Sequence, residues 1–409
     1  MTRRTLLKIL AAAPAAPLFP SFGALAAPYV GKLKITAIKV LGLRRPVYTG
    51  YCLIKVETDG GLYGIGEAGS SAPMARALVQ TMEPLLIGKD PLSIEKLFFE
   101  MTSLMHPYVA HIPTISGIDI ALWDLAGKVL DRPVYELLGG PFREAVMMYS
   151  HGDGFDMLDM GACRAWAAMV KSRPEGFKAY KTGLTTLIGV PMARYADTLT
   201  HDDLKKIRTA FTNCREAVGD EIDIAVHCHN EFDTLSAIAV AKAVEPMDPL
   251  FIEDALNPPY SEAWMALKRS TRIPLLTGEK LELVRVFKPF LDTQAVDIVH
   301  PDLAFAGGFT GTRKIADYAA LTRTPVALHN VGTLVLTNAS AHFAASIQNF
   351  YRSESLLGRP THFVEEMAAS NPPVVRNSLL PLPKGVGLGL DLNPDFLKKY
   401  MAEGETWWG

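Results

Sequence analysis

The sequence predicts an α/β barrel of eight parallel βα units with a smaller α+β unit in front of it. Three observations carry this. From Glu144 onward, short apolar strands alternate with helical segments, the pattern of a parallel sheet. The alternation repeats eight times over about 210 residues, the span of a closed barrel. Residues 32–140 instead run strands first and helices afterwards.

Within the first unit, LKITAIKVLGLRR is followed by YCLIKVETDGGLYGIGEAG, which Asp59-Gly60-Gly61 divides as a hairpin turn does. Together they read as a three-stranded antiparallel meander. Helices are expected near 73–86, 92–104, 113–130 and 133–138. The third carries apolar residues at helical spacing and ends at Asp131-Arg132-Pro133. In the second unit the expected strands are 145–150, 177–182, 222–228, 249–254, 273–279, 295–302, 325–330 and, least distinctly, 349–354. Segments such as TLSAIAVAKAVEP and GTRKIADYAALTR supply helices between them.

The chain has 409 residues, 49% hydrophobic and 21% charged, ordinary globular composition for one large domain and a smaller one. Lys+Arg (41) nearly balances Asp+Glu (43), and no basic block or basic-aromatic stripe appears, which excludes a nucleic-acid partner. Residues 1–26 read separately. TRRTLLK precedes an apolar, alanine-rich run that closes on Ala24-Leu25-Ala26, the form of a secretory signal peptide. Arg3-Arg4 in that setting resembles a twin-arginine export signal, so the periplasm is expected, with no membrane contact after signal removal. Removal takes away Arg3, Arg4 and Lys8 and no acid, moving the net charge from −2 to −5. Cys52, Cys163, Cys214 and Cys228 are widely spread without a C-x-x-C pair and read as buried thiols.

The chemistry is expected where the barrel strands end. His227, Glu253, Glu279, Asp302, His329 and Glu354 follow one another at 26, 26, 23, 27 and 25 residues, one βα unit each. In a barrel such ends converge on one mouth. Glu253 and Glu279 close neighbouring strands, and two converging carboxylates repel unless a proton, hydrogen bonds or a cation joins them. Oxygen donors favour Mg²⁺, with His227 placed to complete the set. In VHCHNEF, His227 and His229 lie two apart and point the same way along a strand. Asp302 beside His329 makes a general base. Lys181 ends the second barrel strand and is placed to neutralise an oxyanion or hold a carboxylate. A surface lysine is the plainer alternative.

TISGIDIALWDLAGK, GFKAYKTG, PLFIED, LLTGEKLE, VDIVHPDLAFAGG and PVALHNVGT, in this order, resemble the enolase superfamily, specifically its mandelate racemase-like subgroup. The similarity runs from about residue 32 to the C-terminus. It implies a modified TIM barrel, (β/α)7β, over 144–361, and an N-terminal α+β capping domain over 32–140 to which the tail 362–409 returns. It implies one divalent metal ion held by groups ending the third, fourth and fifth barrel strands, here His227, Glu253 and Glu279. Asp302 and His329 match the base dyad, and Glu354 matches the acid after the eighth strand, a substrate contact. Segments 44–50 and 67–74 match loops that close over substrate, and 44–51 and 106–111 are expected to set specificity.

Two departures refine the expectation. Racemase-type members carry Lys-x-Lys on the second strand, whereas this chain reads Lys181-Thr182-Gly183. One base suits loss of water, as in sugar-acid (galactonate-type) dehydratases, where the third strand ends Asp-x-His. His229 then stands where the acid for the departing hydroxyl is expected. His227 replaces the metal-binding Asp, one negative charge fewer, which weakens Mg²⁺ and favours Mn²⁺, Fe²⁺ or Zn²⁺. The expected partner is a small acid sugar, and relatives' habits imply a homo-oligomer. The rivals are an epimerase or cycloisomerase on the same site, and an impaired periplasmic carboxylate-binding protein.

Overall fold

The computed structural model describes residues 31–44, 50–103, 110–152, 154–184, 187–189, 198–229, 232–358 and 364–408. The expected signal at 1–26 lies outside them, as do 45–49 and 106–109 of the expected specificity loops.

Strands β1 (Ile35–Leu43), β2 (Tyr51–Thr58) and β3 (Tyr63–Ala68) form the antiparallel meander in the order β1-β2-β3. Helices α1 (Ala72–Leu86), α2 (Ile94–Ser103), α3 (Ile112–Leu130) and the short α4 (Val134–Leu137) follow. Helix α3 is buried along nearly its whole length, because β3 covers one side of it and the barrel the other. The alternate glycines of YGIGE permit this. A Cβ at Gly64 would lie 1.9 Å from the Ala121 carbonyl oxygen, and one at Gly66 2.0 Å from that of Gly117.

The barrel strands are β4 (Ala145–His151), β5 (Ala179–Gly183), β6 (Asp223–His227), β7 (Ile252–Glu253), β8 (Leu275–Thr277), β9 (Ile298–Val299), β10 (Val326–Leu328) and β11 (Phe350–Ser355). Each pairs in parallel with the next, and β11 closes on β4 through Ser353–Met148 and its neighbours. Among the described residues the intervening helices are α5 (Met160–Ser172), α6 (His201–Val218), α7 (Thr234–Val244), α8 (Glu262–Ser270), α9 (Leu283–Thr293), α10 (Gly308–Leu321) and α11 (Leu334–Ser346). The strand that follows α11 closes the barrel, so the architecture is (β/α)7β. Inside, Tyr149 and Phe251 fill space against Ala179, Ala225 and Ala327, with Leu276 and Ile298. Large beside small lets the layer interdigitate.

After the barrel, β12 (Leu379–Pro381) pairs antiparallel with β4, and α12 (Pro394–Lys399) leads the chain back to β1. There the Arg44 N–H donates to the Tyr400 carbonyl at 2.8 Å and the Ala402 N–H to that of Gly42 at 2.9 Å. All four cysteines are buried thiols, as the spacing suggested. No helix among the described residues is long and apolar enough to cross a membrane.

Candidate active site and metal centre

The residues expected at the barrel mouth arrive there by different local routes. Strands β6 and β7 run in register, so His227 and Glu253 are direct partners across the ladder. Glu279 and Asp302 stand beyond the ends of β8 and β9, each on the first residues of the connecting segment. Gly278 makes the turn at φ 148°, where a Cβ would lie 2.8 Å from the His300 backbone. His329 follows β10 directly, whereas Glu354 is still within β11. All six, and Lys181, are buried. Lys181 is 1% exposed, which removes the surface-lysine alternative.

One half of the site is a base. His329 Nδ1 donates to Asp302 Oδ2 at 2.6 Å, and Asp302 Oδ1 accepts from the Ala304 N–H at 2.7 Å. An ionised carboxylate only accepts, so it fixes the Nδ1–H tautomer and turns Nε2 into the mouth. That Nε2 lies 3.3 Å from Glu279 Oε2 and 3.7 Å from Glu354 Oε2. Burial disfavours a charged imidazole there, but Glu279, Glu354 and the Asp302 hydrogen bond outweigh it and push His329 up to about 10. A cation that neutralised Glu279 would remove one of the reasons this proton stays.

The other half is a set of buried carboxylates with their own counter-charges. Lys181 Nζ reaches Glu253 Oε1 at 2.8 Å and Glu354 Oε1 at 2.9 Å, while His151 Nε2 makes a short contact with the same Glu354 oxygen. Lys280 Nζ bridges Glu279 Oε1 at 2.7 Å and Asp254 Oδ2 at 3.1 Å, and Asp254 Oδ1 accepts from the Thr277 hydroxyl at 2.6 Å. Burial, with the neighbouring carboxylates, pushes Glu253 well above the usual range against the pull of Lys181. Burial also opposes charge on Glu279, yet His329, Lys280 and His227 hold it well below that range.

The unsatisfied atoms of the site are those a cation would take up. His227 Nε2, Glu253 Oε2 and Glu279 Oε2 are buried and lack a hydrogen-bond partner. His227 Nε2 stands 3.4 Å from Glu253 Oε1 and 4.0 Å from Glu279 Oε2. His227, Glu253, Asp254 and Glu279 each offer a donor atom within 4.8 Å of the others. Adjacent donors around a small ion at ~2.1 Å stand roughly 3 Å apart. The residues therefore fit a divalent ion. Burial, then the positive Lys181, hold His227 well below its ordinary value, so its nitrogen is a lone-pair donor.

His229 lies two residues past the end of the strand, at φ 54°, with its ring centroid 3.5 Å from that of His227. Burial lowers it to about 4. Sequence reasoning missed several neighbours. His151 ends β4 in the register of the other strand ends, a legible signal. His300, fully buried, shares a 3.0 Å hydrogen bond with the Tyr149 hydroxyl, and its Nδ1 lies 3.8 Å from Glu253 Oε1. Lys280 stands beside Glu279 in GEK. The expected loop 67–74 is seated on the barrel. Glu67 accepts from the Thr333 N–H at 3.0 Å and the Leu336 N–H at 3.2 Å, and the Gly69 N–H donates to the Ala304 carbonyl at 3.1 Å. The capping strand β3 thus grips both segments that carry the base pair.

Comparison with known proteins agrees with this geometry. Residues 164–396 match the family described as enolase C-terminal domain-like, and residues 45–139 match the mandelate racemase / muconate lactonizing enzyme N-terminal domain. D-xylonate dehydratase of Haloferax volcanii is 35% identical, covering 87% of this chain and 86% of its own length. D-gluconate dehydratase of Thermoproteus tenax is 29% identical, covering 86% and 70%. The crystal structure of a mandelate racemase/muconate lactonizing enzyme-like protein from Rubrobacter xylanophilus superposes with a TM-score of 0.81 at 30% identity, covering 92% of this chain and 99% of that one. The fold and mouth define an enolase-type barrel protein. The chain belongs to the mandelate racemase/muconate lactonizing branch of the enolase superfamily.

Proposed function

We propose that this chain is a metal-dependent acid-sugar dehydratase acting on an aldonate- or uronate-type carboxylate. The observation that carries the reading is the placement of a buried base pair, Asp302–His329, against the unsatisfied donor atoms of Glu279 and its neighbours. The similarity to proteins named D-xylonate and D-gluconate dehydratase supports the substrate class.

His227, Glu253 and Glu279 are the residues proposed to hold a divalent ion, which when bound supplies a Lewis acid for the substrate carboxylate and for the charge that gathers on it. His329 Nε2 takes the proton on the carbon next to that carboxylate. Asp302 keeps the tautomer and stabilises the imidazolium. The electron pair left behind expels the hydroxyl on the β-carbon. That hydroxyl leaves as water after receiving a proton, and the enol formed becomes a 2-keto-3-deoxy acid. Proton delivery falls to His229 in the reading the resemblance implies, and to His329 itself if His229 is held elsewhere. Lys181 keeps positive charge beside the developing anion, and Glu354 Oε2 faces the same space as His329. Gly183 stands where a second base would serve racemisation, so the mouth is equipped to remove a proton from one side.

The test is incubation of the metal-loaded protein with a panel of aldonates and uronates in D₂O. A 2-keto-3-deoxy product, absent in a His329→Asn variant, is the expected result. Deuterium exchange without loss of water would assign the site to an epimerase or cycloisomerase. Binding with neither reaction would make it a carboxylate-binding protein. We further propose export through the twin-arginine route. An Arg3→Lys/Arg4→Lys variant should stay in the cytoplasmic fraction, whereas equal export would refute the signal. Light scattering should find the purified protein as a homo-oligomer, and a monomer would end that part of the proposal.

A further inference from the structure

One further buried donor atom at the mouth stands without a partner. His229 Nδ1 is buried and lacks a hydrogen-bond partner, although its ring is packed on that of His227. His227, 4% exposed, has its Nε2 in the same condition. Leaving two neighbouring imidazole nitrogens dry and unpaired costs stability twice, unless both face one acceptor of their lone pairs. The backbone enforces the pairing. At φ 54° the chain bends after the strand and brings the second ring back onto the first. Donor atoms of His227, His229 and Glu279 all lie within 4.8 Å of one another, and the Glu279 Oε2 atom is a third without a partner. Glu253 is in the same state as Glu279, with Oε1 held at 2.8 Å by Lys181 and Oε2 without a partner, but the group of donors that includes His229 is formed with His227 and Glu279.

We infer that His229 is a further metal ligand, placed beside His227 and Glu279. The inference rests on the reading that the mouth binds a divalent ion at all. Two neutral imidazoles among the ligands make a softer, less charged set than carboxylates alone. Such a set suits Zn²⁺, Co²⁺, Fe²⁺ or Mn²⁺ better than Mg²⁺, which demands hard oxygen donors. Because its nitrogen is committed to the ion, His229 no longer delivers the proton. His329, which holds the abstracted one, returns it to the departing hydroxyl.

The experiment is equilibrium binding of Co²⁺ and of Mg²⁺ to the full chain stripped with chelator, followed by calorimetry and by the visible absorption of Co²⁺. The variants are His229→Gln, His229→Asn and Glu253→Gln, each first checked by its melting temperature. Loss of Co²⁺ affinity by about tenfold or more in both His229 variants, with a changed absorption band and Mg²⁺ binding little altered, is the expected result. Glu253→Gln, at a ligand of the reading above, should lower Co²⁺ and Mg²⁺ binding together. Unchanged Co²⁺ binding in both His229 variants would overturn the inference, as would a wild-type chain that binds no divalent ion. No substrate is involved, so a protein that binds Co²⁺ through His229 yet dehydrates no acid sugar would refute the proposed reaction and leave this site standing.

Discussion

Asp119 provides a test of how the capping domain is seated on the barrel. It lies fully buried on α3, and its Oδ1 accepts from the Thr310 N–H at 3.1 Å in the first turn of α10. Its Oδ2 has no partner. Burial raises the carboxyl from its ordinary 3.8 to about 7, with the Thr310 hydrogen bonds opposing. The folded-state value lies above the unfolded one, so the folded chain holds the proton more tightly. The stability this group contributes is complete below about pH 4 and drains away as pH rises through 7. Between pH 5 and 7 that is two pKa units, or about 2.7 kcal/mol. Asp119→Asn cannot ionise and lacks this loss, while its amide oxygen can keep the Thr310 hydrogen bond. Urea unfolding at pH 5 and pH 8.5 should therefore show the variant gaining about 2–3 kcal/mol on the parent between the two conditions. A parent–variant difference that stays constant within about 0.5 kcal/mol would show that Asp119 is already ionised at pH 5, and the burial argument would fail.

Three further outcomes follow from the site. Asp302→Asn should leave the fold intact and slow α-proton exchange by roughly a hundredfold or more, because the tautomer and the imidazolium partner are both lost; exchange in D₂O measures it. Lys181→Met strands two buried carboxylates, Glu253 and Glu354, and should cost about 3–5 kcal/mol in denaturant unfolding, with a loss under 1 kcal/mol counting against the ion-pair reading. Glu67→Ala opens the N-terminus of α11, where Glu67 accepts from Thr333 and Leu336, and should cost about 2 kcal/mol. Its hydrogen exchange should rise over 330–336 ahead of the rest of the barrel.

The strands were legible because a parallel barrel buries both faces of each one, leaving continuous apolar runs such as PLFIED and PVALHN between polar breaks. The six mouth residues were legible for a related reason. An ionisable side chain at the close of an apolar run is conspicuous, and the βα repeat spaces such residues evenly. Contacts made across the barrel were not. Nothing in KAYKTG says that Lys181 lies between Glu253 and Glu354, since those partners are 72 and 173 residues away, Glu253 meeting it across β6 and Glu354 only through closure of β11 on β4. His300 was hidden differently. It precedes a proline in IVHPD and looks like a strand residue, and only its hydrogen bond to Tyr149 from the first barrel strand sets it beside the site. Glu67 belongs to a motif whose glycines explain themselves by packing on α3, so its carboxylate drew no notice although it joins two domains.

The charge balance of the mouth gives a physical reason for a histidine at 227, where the family resemblance implies an aspartate. Asp254, Glu253, Glu279, Asp302 and Glu354 are all buried within reach of one another's fields. Lys181, Lys280 and a protonated His329 offset three of those charges from within the chain. A divalent ion adds two positive charges, which lets Glu253, held toward its protonated form by burial, ionise as well and brings the total to balance without any further carboxylate. An aspartate at 227 would leave one buried negative charge in excess, a cost of several kcal/mol unless a proton were taken up with the metal. A neutral imidazole offers a ligand and no charge, so the same fold can hold an ion beside a standing Lys181–Glu354 pair. His227→Asp should on this argument bind Mg²⁺ more tightly while losing stability in the metal-free state, and both are measurable on one preparation. A variant stabilised without metal would mean that fewer of the five carboxylates are ionised than their partners imply.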